Sequence, residues 1–250
     1  MLSRVNDPSS YLIEIADLHL AAARQPMIVK ENREVLRQTV LWAETFLCNP
    51  HPQLGRTGAV CPYTEFSMRE NLLWLTICRG EKLSTEDVYN SVMRYRDWFL
   101  EIEPCSGKQA QFKTILIIFP DIQAEDAPKI IDVVQQELKP EFVAKGIMVG
   151  QFHPSCLESG LWNQDFHPLQ APVPLLAIRH MVLTDFPFLK SDKRFIFSYI
   201  KLFGQAIPIG VQEMIKEVNL ETCREEFGQP GENKKTRLLD VCGDPSPPST

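Results

Sequence analysis

Three side chains able to do chemistry arrive together near the end of one apolar run: Arg179, His180 and Asp185, in residues 172–185 (PVPLLAIRHMVLTD). An imidazole ligates metals or moves protons near neutral pH, and a carboxylate on its second ring nitrogen fixes which nitrogen is free. His180 is therefore the candidate ligand or base, Asp185 the group that orients it, and Arg179 a catalytic partner or carboxylate clamp. If the run is a strand, alternation puts Ile178 and His180 on one face and Arg179 on the other. Both can serve one site only where the strand ends or bulges. The competing reading is a buried histidine satisfied by backbone groups.

Two further segments carry reactive types in settings that resist regular structure. Residues 51–63 (HPQLGRTGAVCPY) hold His51, Arg56 and Cys61 among prolines and glycines, the mark of an irregular loop. Arginine's fork suits a bidentate carboxylate, so Arg56 competes with Arg179 as the anchor of a bound acid. Cys61, before Pro62, reads either as a thiol nucleophile paired with His153 or His180, or as a small buried hydrophobe. Residues 150–156 (GQFHPSC) place His153 before Pro154 in an expected exposed turn, with Cys156 three residues on as a second metal donor. Loop capping is the plainer reading of that histidine. Among the aromatic residues, Trp42, Trp74, Trp98, Phe195 and Phe203 sit at helix or strand spacing and read as core, whereas Trp162 and Phe166 lie in a loop and suit pocket walls.

Several chemistries lack support. Neither GxSxG nor SxxK occurs, and no glycine-rich phosphate loop is present. Seven cysteines without a CxxC pair argue against a closed zinc site, and no two of the five histidines stand four apart. A net charge of −6 supplies no uniform field for a polyanion, so nucleic acid is not the expected partner. No apolar run reaches the roughly 20 residues that span a bilayer, and Asp7, Glu14 and Asp17 interrupt any secretory segment, so a cytoplasmic location with reduced thiols is expected.

The elements that must position these residues follow from periodicity. Residues 11–22 and 35–47 recur at helix spacing, the second run stopping at Asn49-Pro50. Residues 72–78, 113–119, 146–152 and 174–182 read as strands. Helices are expected after Ser84, where Asp87 completes a capping box, over 127–138, after Ser191, and from Pro208 to about Cys223. The implied fold is α+β: a four-stranded mixed sheet with a β-α-β-α-β-β core, helices packed on one face, and flanking N- and C-terminal helices. One domain over 1–227 is expected, followed by a flexible C-terminal tail, 228–250, rich in proline, glycine and charge.

The segments GAVCPY (58–63), GQFHP (150–154) and PVPLLAIRHMVLTDFPFL (172–189) together resemble a bacterial family of uncharacterised domains placed in biosynthetic gene neighbourhoods, over roughly residues 50–202. The order of a CP-aromatic segment, strands, and a late strand delivering histidine and arginine is also similar to haem-dependent N-hydroxylases of guanidine compounds, as in guanitoxin and D-cycloserine pathways. That resemblance implies a haem-dependent, monooxygenase-like oxidoreductase acting on a small polar nitrogen-containing metabolite. It makes His180 the axial iron ligand, with His153 and Cys61 as substitutes, and lets Arg56 or Arg179 hold a propionate and Trp162 wall the cofactor pocket. Homodimerisation is left open. The alternatives are a cofactor-free thiol or histidine enzyme and a non-catalytic ligand-binding accessory protein.

Overall fold

The computed structural model describes residues 1–4, 7–21 and 23–227. In chain order the elements are β1 (Leu2–Arg4), β2 (Asp7–Glu14), α1 (Ile15–Leu18), α2 (Met27–Glu31), α3 (Arg33–Trp42), α4 (Thr64–Arg69), β3 (Leu73–Ile77), α5 (Thr85–Glu101), β4 (Thr114–Ile118), α6 (Val133–Ala144), β5 (Ile147–Phe152), β6 (Leu175–His180), α7 (Phe186–Leu189), α8 (Lys193–Phe203) and α9 (Ile209–Phe227). Two π turns extend helices: Ala43–Leu47 continues α3, and Pro128–Asp132 leads into α6. The chain divides into two compact units, Met1–Ile207 and Pro208–Thr250. In the second unit the described element is α9. The expected tail, 228–250, lies outside the described residues.

The sheet has six strands, not four, in the order β1-β2-β3-β4-β6-β5. The β3–β4 pair is parallel and the other neighbours are antiparallel. The two added strands are β1, which precedes the region expected as the first helix, and β2, whose last residues, 11–14, fall within it. Leu12 and Ile13 are adjacent and both fully buried, Leu12 in one core cluster and Ile13 in the other. Only an extended chain sends consecutive side chains to opposite faces, so apolar residues that mimic helix spacing here mark a strand covered on both sides. The helical reading survives only in α1.

Helices also pack on both faces rather than one. On the first, Trp74, Ile115, Ile117, Ile147, Val149, Leu176 and Ile178 meet the inward sides of α5 and α6. On the second, Leu73, Leu75, Ile77, Leu116, Ile118 and Leu175 meet Leu18, Val29, Leu36 and Val40 of α1 to α3. Strict alternation along β3, β4 and β6 produces this division, and burying both faces explains why these strands read as unbroken apolar runs. At the start of α5 the expected capping box is present, Ser84 Oγ accepting from Asp87 N and Asp87 Oδ2 accepting from Ser84 N. Helix α8 is capped by Asp192 rather than Ser191, because the Asp192 carboxylate accepts from Arg194 N at 2.8 Å.

Candidate functional site

Arg179 and His180 leave β6 on opposite faces, and the strand neither ends early nor bulges to reunite them. Asp185 belongs to Arg179. Its two carboxylate oxygens accept from Arg179 Nη1 and Nη2 at 2.7 and 2.6 Å, and Oδ2 also accepts from Val182 N. Asp185 therefore does not orient His180. Burial works against the Arg179 charge, but Asp185, helped by the nearby Cys61 and Tyr63, more than offsets it, and its pKa is raised. The first and third sequence motifs converge here, with Tyr63 Oη 3.2 Å from Thr184 Oγ1.

His180 faces the other core, its ring 4.9 Å from that of Phe99. Its Nε2 is enclosed and has no hydrogen-bond partner. Burial, and then the charge of Lys113, hold its pKa down to about 4, so the ring is neutral at pH 7. Lys113 is itself fully buried; its Nζ donates to Phe99 O at 2.7 Å and Ile102 O at 2.6 Å and lies 4.4 Å from the Phe99 ring centroid. These are carbonyls at the C-terminus of α5, where a cation is favoured. Read in the sequence as an ordinary strand residue, Lys113 is a buried helix cap.

His153 corrects the expectation of an exposed turn: it is fully buried. Its Nε2 meets Asp132 Oδ1 at 2.9 Å and its Nδ1 meets Ser155 Oγ at 3.1 Å, while the Ser155 hydroxyl donates to Ala124 O at 2.7 Å. With that hydroxyl committed to a carbonyl, the Ser-His-Asp trio fastens the loop after β5 to the π turn before α6 and presents no nucleophile. Arg56 spends its guanidinium on its own loop, donating to Thr57 O and Val60 O. Cys61 is half-buried and lies beside Cys48, whose thiol burial pushes up to about 11. Trp162 is 68% exposed.

A haem on His180 needs Nε2 open to a space as wide as a porphyrin. In this arrangement Nε2 is enclosed, the Phe99 ring lies against the imidazole, and Lys113 brings a positive charge close by. Both candidate propionate anchors are consumed internally. These residues do not fit the group. Among the described residues no set of three or more His, Cys, Asp or Glu side chains is placed to hold a metal ion.

Open space lies instead between the end of α3 and the loop that joins β5 to β6. A groove of about 540 Å³ is lined by Leu41, Trp42, Thr45, Pro154, Gln170 and Pro172, among others. A second hollow of about 300 Å³ shares Trp42 and Gln170 and adds Phe46, His51, Gln53, Asp165, Phe166 and His167. Its walls are aromatic: Trp42 stacks with Phe46 at 6.4 Å, and His51 with Phe166 at 4.6 Å. Trp42 Nε1 donates to Gln170 O at 3.0 Å, tying the helix to the loop. Phe46 sits in the π turn Ala43–Leu47, and such turns recur at functional sites because the extra residue re-aims the helix surface.

The loops themselves are clasped. Gly55 has φ +76°, and a Cβ there would stand 2.8 Å from Trp162 Cβ, while Asn163 Nδ2 donates to Gln53 O at 2.9 Å. This contact holds His51 and His167 in one hollow with opposite polarity. Gln53 N donates to His51 Nδ1 at 3.2 Å, so the neutral His51 ring carries its proton on Nε2. His167 Nδ1 lies 3.4 Å from Glu158 O, a pure acceptor, so its Nε2 holds the lone pair. One ring can donate a proton and the other accept one. Of these residues the sequence singles out Phe166 as a pocket wall and His51 as a loop residue, and misses Asp165, His167 and Gln170.

No helix among the described residues is long and apolar enough to cross a membrane. No curated protein and no solved structure matches the chain. Its residues 36–214 do match a family described only as a domain of unknown function, DUF6875, and since that span exceeds half of the sequence the chain belongs to this family.

Proposed function

We propose that the protein is a cofactor-independent histidine enzyme acting on a small, polar, nitrogen-containing metabolite held in the groove between α3 and the β5–β6 loop and in the smaller hollow that shares Trp42 and Gln170 with it. One observation carries this reading. His51 and His167, pinned by backbone partners to opposite tautomers, line one aromatic-walled hollow. A paired proton donor and acceptor across a bound molecule is the arrangement that general acid–base catalysis requires. His167 Nε2 removes a proton from the substrate, His51 Nε2–H supplies one to the group that gains charge, and the Trp42 and Phe46 faces hold the rest of the molecule in place.

Incubation with an amine- and amino-acid-rich cell extract, followed by mass spectrometry, tests this. Conversion of one component should be lost in His167→Gln and His51→Gln with binding retained, and binding should be lost in Trp42→Ala. Conversion that survives both histidine replacements, or no conversion by the unaltered protein, overturns the reading.

A further inference from the structure

The ligand class can be narrowed by what lines the groove, an argument that rests on the groove being the binding site. Neither Lys nor Arg contributes to either hollow, and Asp165 supplies a carboxylate. Among the described residues Asp165 makes no ion pair; its backbone N–H donates to Asn163 Oδ1, a local tie that leaves the carboxylate uncommitted. The indole N–H of Trp42 is already spent on Gln170 O. What Trp42 offers a ligand is therefore the negative face of its ring, and Phe46 beside it offers another.

Aromatic faces with a nearby carboxylate and no competing cation attract positive charge. An anion would meet the carboxylate and the ring faces, both repulsive. A primary ammonium would give up hydration at three N–H donors, for which this wall offers few acceptors. We propose that the smaller hollow, which shares Trp42 with the groove, selects an organic ammonium cation, methylated at nitrogen, with its charge against Trp42 and Phe46 and balanced by Asp165. Spreading the charge over methyl groups lowers the hydration that must be removed and suits flat ring faces, the recognition mode of quaternary ammonium groups in aromatic cages.

Choline and its neutral isostere 3,3-dimethylbutan-1-ol differ in the charge and little in shape. Titration of each into the full chain, followed by the NMR signal of the Trp42 indole N–H assigned with Trp42→Phe, separates charge from size. Choline should shift that signal with an affinity roughly tenfold above the isostere's. Asp165→Asn, at an exposed position, should weaken choline several-fold and leave the isostere unchanged. Equal binding of both probes at Trp42 overturns cation selection while leaving the groove a ligand site. Choline binding that ignores Trp42→Ala and Asp165→Asn, or the absence of any shift with choline, also overturns it.

Discussion

Asp185 grips Arg179 with both carboxylate oxygens, at 2.6 and 2.7 Å, while only 2% of Asp185 is exposed. Asp185 is enclosed while the Arg179 side chain stays 29% exposed, so removing the carboxylate costs its hydrogen bonds from the guanidinium and from Val182 N rather than stranding a charge away from water. Asp185→Ala should lower the unfolding free energy by about 2 kcal/mol, read from urea denaturation at pH 7. A loss below about 1 kcal/mol, the level of surface pairs, would mean that solvent already screens the contact.

The buried imidazole of His180 makes stability depend on pH. Its pKa is about 4 in the fold against 6.5 in the open chain. Between those values the unfolded chain binds a proton that the native state does not, so stability is lost as pH falls through this window and levels off below about 4. His180→Leu removes both the titration and the partnerless nitrogen. The variant should lose less stability between pH 7 and pH 5 than the unaltered protein does, and parallel profiles would place the acid sensitivity elsewhere.

Enclosure of His180 also sets an expectation for the absorbance spectrum. Protein produced with haem precursor and iron should show no Soret band that depends on His180, since Nε2 meets no open space. A band near unit stoichiometry that vanishes in His180→Ala would show that this core opens to admit a porphyrin, and would restore the haem-dependent hydroxylase reading.

Gly55 joins the two loops that form the smaller hollow. An alanine there meets Trp162 Cβ at 2.8 Å and must also hold a φ of +76°. The strained backbone costs about 1–2 kcal/mol, and relief comes only by parting the loops. Gly55→Ala should weaken ligand binding in the groove several-fold, with a melting temperature only a few degrees lower. Unchanged affinity would separate the clasp from the site.

Continuous apolarity made β3 to β6 legible, since strands covered on both faces carry few polar residues to obscure them. The same property concealed β2: Tyr11 and Leu12 on the strand run on into Ile15 and Leu18 of α1 at helical spacing, so the apolar pattern does not break where the strand ends. Local signals also found α5, through Ser84 and Asp87. The candidate site was less legible because its chemistry depends on partners remote in sequence. No spacing rule joins His153 to Asp132 or the Gln53 loop to Asn163. Prominence in the sequence instead favoured His180 and Arg179, which the structure commits to core and clamp. A usable hint was present in residues 165–170, where Asp165, Phe166, His167 and Gln170 crowd a proline-containing loop.

The ladder between β2 and β3 is short, Ile13 opposite Leu75 and Glu14 opposite Trp74, yet it covers the flank of a strand whose five residues are all buried. Both β1 and β2 precede the family-matched residues 36–214. A chain trimmed to that span would bare the outer hydrogen-bonding groups of β3, a template (LWLTI) without charge or proline to discourage pairing with another copy. The first fourteen residues thus act as a guard against self-association: they keep four aggregation-prone strands from finding strands of their own kind.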